Sequence, residues 1–225
     1  MPNPPLLLCD SDALTQFFLA DEIRPLKHLK ESYGIQPTIV QEVDIELRWL
    51  GRYRDRFVMQ LDKTIKSGVL RVLDSVYFQS FLGHAPVGAS WTGFQSLGAQ
   101  YYGYVGRGEA FTFAAGVDLG MPALSNDFSA IKTLEGNFLA LPIPVLRSFD
   151  LVAFCYENGF LELRACEAVR ANLRNEREGL PKPFMHASFE DGLKTFAPRL
   201  RDGMPVIHAS AEIYSDPLFV SKIEF

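Results

Sequence analysis

The chain has 225 residues, 48% of them hydrophobic and 22% charged, with a net charge of -5. This is enough apolar material to bury one substantial core, and it excludes a disordered polyelectrolyte. The acidic balance lends no support to a strongly basic nucleic-acid binder, although acids that hold metal ions carry charge that the bound cations cancel.

Three cysteines, Cys9, Cys155 and Cys166, show no Cys-x-x-Cys spacing and read as small buried hydrophobes of a reducing cytosol. No two of His28, His84, His186 and His208 stand at metal-ligand spacing. The stretch Met1 to Cys9 is too short and uncharged for a signal peptide, and no apolar run approaches the roughly 20 residues that span a bilayer. The expectation is a soluble cytoplasmic protein without a membrane partner.

In chain order, Leu6-Leu7-Leu8-Cys9 is a short apolar run closed by Asp10-Ser11-Asp12, as suits a strand buried on both faces of a parallel sheet. Helices are expected over Ala13 to Ala20 and Pro25 to Tyr33, the second ended by Gly34. Ile35 to Val40 reads as a second strand. A long helical stretch follows from about Gln41 to Lys66, with a break near Gly51, and Val69 to Leu73 reads as a third strand. From Ser75 to Gly108 the chain is rich in glycine and aromatics, without a clean period, and reads as mixed helix and loop. Ala110, Phe113, Ala114 and Val117 then mark one helical face from Glu109 to Gly120. Ala123 to Ser125 is a fourth strand, Phe128 to Glu135 a helix and Pro144 to Leu146 a fifth strand. Asp150 to Glu157 and Leu161 to Glu176 are further helices. Alternating strands and helices predict a three-layer α/β/α sandwich, with a mainly parallel five-stranded sheet and ligands beyond the carboxyl ends of its strands. Residues 1 to 178 form the expected domain, and 179 to 225 an extension packed on it.

Four acids stand out. Asp10 and Asp127 each follow a predicted strand, and each is equally well read as a helix N-cap; Ser11 or Asp12 could cap in place of Asp10. Glu46 interrupts the apolar stripe of Val43, Leu47 and Leu50, which is costly unless the carboxylate is paired or bound to a cation. A glutamate snorkelling at the stripe edge is the alternative, and Glu42, one turn earlier, could assist or substitute. Glu109 opens a helix, where the dipole alone favours an acid, and Gly106-Arg107-Gly108 before it allows close backbone approach. A set of acids without histidine or cysteine selects Mg²⁺ or Mn²⁺, and such clusters promote phosphodiester hydrolysis. Arg48, Arg52, Arg54 and Arg56, with Trp49 and Tyr53, form a basic-aromatic segment near Glu46 that suits RNA, or equally a solvated helix face.

The blocks LLLCDSDAL, TIVQEVDIEL, GRGEAFTFAAGVDLGMPALSNDFSA and PVLRSFDLVAF resemble the PIN-domain nucleases, over roughly residues 5 to 178. The segment from Ser75 to Gly108 and the tail after Leu180 are longer than in the compact toxin ribonucleases of bacterial toxin–antitoxin pairs. The resemblance implies strand order 3-2-1-4-5. It places the catalytic, metal-holding quartet at Asp10, Glu46, Glu109 and Asp127, with Ser125 as the hydroxyl beside the last aspartate; from the residues themselves, Asp12 and Glu42 stand as candidate accessories and Arg48, Arg52 and Arg54 as substrate contacts. It implies an Mg²⁺- or Mn²⁺-dependent endoribonuclease acting on single-stranded RNA, with an antitoxin protein and a homodimeric copy as candidate partners. Two other readings stand beside it. One is a phosphatase resembling the haloacid-dehalogenase superfamily, with Asp10 as nucleophile, which leaves Glu46 and Glu109 without a role. The other is a PIN fold that binds RNA or protein without cutting.

Overall fold

The computed structural model describes residues 4–49, 54–138, 143, 145–176 and 180–201, the side chains of Arg54, Phe128, Glu176 and 196–201 excepted. Five parallel strands, β1 (Leu6–Cys9), β2 (Gln36–Val40), β3 (Arg71–Leu73), β4 (Ala123–Leu124) and β5 (Val145–Leu146), form one sheet in the order β3-β2-β1-β4-β5. β1 is central, its four residues fully buried, pairing Leu6 with Gln36 on one side and Cys9 with Leu124 on the other. Burial on both faces explains why this strand reads as an unbroken apolar run instead of an alternation.

Twelve helices are present among the described residues. Those preceding the middle of the chain are α1 (Ser11–Ala20), α2 (Arg24–Tyr33), α3 (Gln41–Trp49) and α4 (Arg54–Lys66). Then come α5 (Ser75–Phe81), α6 (Trp91–Tyr102), α7 (Arg107–Leu119) and α8 (Phe128–Asn137). The last four are α9 (Ser148–Glu157), α10 (Leu163–Glu176), α11 (Lys182–Met185) and α12 (Phe189–Arg201). α7 packs on β1, β2 and β4, and α1 packs on α9 and α10. The arrangement is α/β and compatible with three layers.

Two strands start later than the hydrophobic runs suggest, for reasons of backbone bonding. Ile35 is buried, but its N–H closes the end of α2 on Leu29 at 3.1 Å, after Gly34 has turned the chain at positive φ. The Leu70 N–H returns to Thr64 and the Val69 carbonyl accepts from the Gln36 side chain, so the β3 ladder begins only at Arg71 opposite Thr38.

The glycine- and aromatic-rich middle segment resolves into α5 and α6. Phe78 stacks on Phe94, and Phe94 meets Phe111 edge-on. α6 lies against α7 with Gly98 at the contact, where a Cβ would run into the Phe111 ring. A glycine therefore stands where an apolar helical stripe would ordinarily place a side chain, which hid the period. At the other end, Phe184 and Phe189 are buried with Phe149, and Glu167 accepts from the Phe189 N–H at 2.5 Å, docking α11 and α12 on α9 and α10. No helix among the described residues is long and apolar enough to cross a membrane.

Candidate functional site

At the carboxyl end of β1 the chain turns directly into α1. The Asp10 N–H is tied to Leu124 of β4 at 2.9 Å, which fixes the residue between the two central strands. Its side chain is fully buried: Oδ1 accepts from Ser11 N at 2.6 Å and Oδ2 from the Ser125 hydroxyl at 3.0 Å. The Ser125 hydroxyl in turn accepts from Asp127 N at 3.2 Å, so one serine holds the strand-end acid of β1 and orients the loop after β4.

α3 delivers Glu46 to the same place. Its Oε1 accepts from Gly108 N at 2.8 Å and its Oε2 from the Ser11 hydroxyl at 2.9 Å. The approach requires glycine: a Cβ at Gly108 would collide with the Glu46 carboxylate, and one at Gly106 with that of Glu109, which folds back over the first turn of α7. Asp127 caps α8, accepting from Ser129 N and Ala130 N at 2.8 and 3.0 Å. Asp12 reaches across to Asn126 N at 2.9 Å through Oδ2, while its Oδ1 is buried without a hydrogen-bond partner.

The acids sense one another. Burial, then the charges of Asp12 and Glu109, drive the Asp10 carboxyl well above the usual carboxylate range, against the opposing bonds from Ser11 and Ser125. Burial pushes Asp12 up to about 6, with the Asn126 N–H opposing it and the Asp127 charge adding to it. Glu109 is raised by burial and then by Glu46, Asp12 and Asp127. Acids from β1, α3, α7 and the β4–α8 loop thus share one region, linked through hydroxyls and backbone amides.

Several details refine or alter the sequence expectations. Asp10, not Ser11 or Asp12, is the N-cap of α1, because its Oδ1 is spare for Ser11 N while Oδ2 faces Ser125; Asp12 accepts from Asn126 N instead. Glu46 and not Glu42 meets Ser11 and Gly108; Glu42 is buried with Arg107 3.7 Å away. The Arg48 guanidinium is engaged by Asp44 at 3.0 Å and Asp62 at 2.8 Å, so its charge is already met by two carboxylates. Arg52 lies outside the described residues, as does the side chain of Arg54. Ser11, Arg107 and Asn126 line the region without having been singled out for it. The only signal for Arg107 was its place between two glycines, and for Ser11 its place directly after a strand-end acid.

The donor set is all oxygen, the type that hard divalent cations select. Asp12 Oδ1 supplies an orphaned buried acceptor, a feature that a proton or a cation would satisfy. Among the described residues no three acidic, histidine or cysteine side chains form a ready ion-holding group, so gripping an ion would require these carboxylates to close on it. No family model, no curated protein and no solved structure matches the chain.

Proposed function

We propose that this chain is a PIN-type, three-layer nuclease domain that cuts single-stranded RNA with Mg²⁺ or Mn²⁺. What supports the reading is that Asp10, Asp12, Glu46, Glu109 and Asp127 lie near enough beyond the ends of β1 and β4 for their charges to raise the proton affinity of Asp10, Asp12 and Glu109, with one buried carboxylate oxygen lacking a partner. The strand order β3-β2-β1-β4-β5 agrees with the order the resemblance implies.

Asp10 and Asp127, set at strand ends, would hold the cation, with Asp12, Glu46 and Glu109 completing the oxygen donors. A divalent cation bound there would supply an activated water and neutralise charge at the phosphodiester. The remaining work falls to this chain. Ser125 keeps Asp10 aimed, and Ser11 with Gly108 N fixes Glu46. Without a cation, the raised carboxyls of Asp10, Asp12 and Glu109 favour holding protons, which a cation would displace. A phosphatase with Asp10 as nucleophile fits less well, since it leaves Glu46, held by Ser11 and Gly108, and Glu109 without a role.

The test is a labelled single-stranded RNA pool incubated with Mn²⁺, Mg²⁺ or chelator, comparing the natural chain with Asp10→Asn. Cutting should need the cation and fall by at least about 100-fold in the variant, in line with losing a positioned charged group. Equal cutting by both proteins, or none by the natural chain over a broad set of RNA and DNA, would remove the proposal; in the second case a non-cutting PIN module becomes the better account.

A further inference from the structure

A polyanion approaching these acids meets carboxylates, and among the described residues none of Asp10, Asp12, Glu46, Glu109 or Asp127 is ion-paired. A cation at the rim is needed to receive the phosphates. Arg48 does not offer one, since Asp44 and Asp62 already hold it. Arg107 does. It opens α7 beside Gly108, whose N–H holds Glu46, and its Nη2 lies 3.7 Å from Glu42, one turn before Glu46 on α3. That separation is too long for a good hydrogen bond. The Arg107 side chain is 56% exposed, against 9% for Glu42, so its fork of donors can take a second anion without leaving its place. Three residues earlier, in the connection between α6 and α7, Tyr104 is 52% exposed with its ring propped edge-on against Phe138, centroids 5.3 Å apart. A half-exposed ring supported on one edge can stack a base.

We propose that Arg107 is the phosphate-positioning residue beside these acids and Tyr104 its base-stacking neighbour, for a single-stranded nucleic acid crossing the start of α7. This rests on the nuclease reading, and the test separates the two. Binding of a fluorescein-labelled single-stranded RNA is followed by anisotropy across a salt series, in Mn²⁺ and in the Asp10→Asn background; cleavage is followed in the natural background. Arg107→Ala should weaken binding about tenfold, the size of one charge-assisted contact, and lower the salt slope by about 0.7. Arg107→Lys should recover the slope but not the full affinity, because an ammonium lacks the planar fork. Tyr104→Ala should weaken binding with the slope unchanged, and Tyr104→Phe should restore it. In cleavage, Arg107→Ala should raise KM more than it lowers kcat. Arg48→Ala should leave the slope alone. RNA cut normally while Arg107→Ala keeps the parent slope and KM overturns the rim assignment and spares the nuclease reading. Arg107-dependent binding without any cutting does the reverse. A slope lost in Arg48→Ala instead would place the phosphate contact there and refute the assignment.

Discussion

Gly108→Ala should leave the fold standing and disable the site. Gly108 is the second residue of α7, and alanine is favoured over glycine by up to about 1 kcal/mol in a helix interior, less in the first turn. Against this, the added methyl would occupy the space of the Glu46 carboxylate, so the glutamate must withdraw. It would give up its bonds from Gly108 N and the Ser11 hydroxyl, and bonds to an ionised group contribute about 1.5–3 kcal/mol each before water replaces them. Withdrawal also relieves its repulsion of Glu109. These terms oppose one another, and the expected net loss is about 1–2 kcal/mol. Function has no such compensation: an acid displaced by an ångström or more can cost about 100-fold in rate. Thermal unfolding with and without Mn²⁺, together with the RNA assay, reads both effects. Gly136→Ala is the control, since a Cβ there meets open space on α8; it should stabilise slightly and leave cutting unchanged. Wild-type cutting and a wild-type Mn²⁺ response in Gly108→Ala would show that Glu46 has no part in the site.

The raised carboxyls predict a pH dependence of known sign. Asp10, Asp12 and Glu109 bind protons more tightly folded than unfolded, so their stabilisation is complete below about pH 4 and fades as pH rises through the folded values, near 6 for Asp12. Metal-free protein should therefore lose stability as pH rises above about 4, the share from Asp12 being roughly 3 kcal/mol and complete by about pH 7. Urea midpoints in chelator should show a smaller fall with pH in Asp12→Asn than in the natural chain; identical slopes would contradict the burial of that carboxyl. At pH 7 without metal, Asp12→Asn should be the more stable protein and should gain less from Mn²⁺, which a calorimetric titration measures. Phe184→Ala removes a fully buried ring packed between Phe149 and Phe189, and should cost about 3–5 kcal/mol in a single unfolding transition. A separate low-temperature transition would mean that α11 and α12 do not unfold with the rest.

What could be read from the sequence depended on whether local bonding agreed with pattern. Leu6 to Cys9 announced a central strand because both of its faces are buried, and the 3.6-residue stripe after Glu109 announced α7 because its partners are ordinary side chains. α6 stayed hidden because Gly98 fills a contact with Phe111 that pattern rules expect an apolar side chain to make. Glu46 was visible because it breaks a stripe, whereas Arg107 and Ser11 act through space with residues far along the chain. The exchange of tasks between Asp10 and Asp12 was invisible because both suit a helix start equally well, and only the position of Asn126, 114 residues away, decides it.

Capping and the proposed metal holding are not rival explanations for these acids. Asp10 takes the first N–H of α1, Glu46 takes one from the start of α7, and Asp127 takes two from the start of α8. Three helix N-termini therefore face the carboxylates, and each favours a nearby anion by about 0.3–1 kcal/mol, up to about 2 when partly buried. That sum assembles the acids without a cation. It falls short of offsetting the burial of Asp10, because desolvating a carboxylate costs several kcal/mol, and the deficit surfaces as the raised affinity of Asp10 for a proton. Asp12 Oδ1 is likewise buried without a hydrogen-bond partner, and that carboxyl too is raised by burial. The caps bring the acids close enough to raise their affinity for protons while the chain stays folded, and on the proposed reading a divalent cation would take the place of those protons.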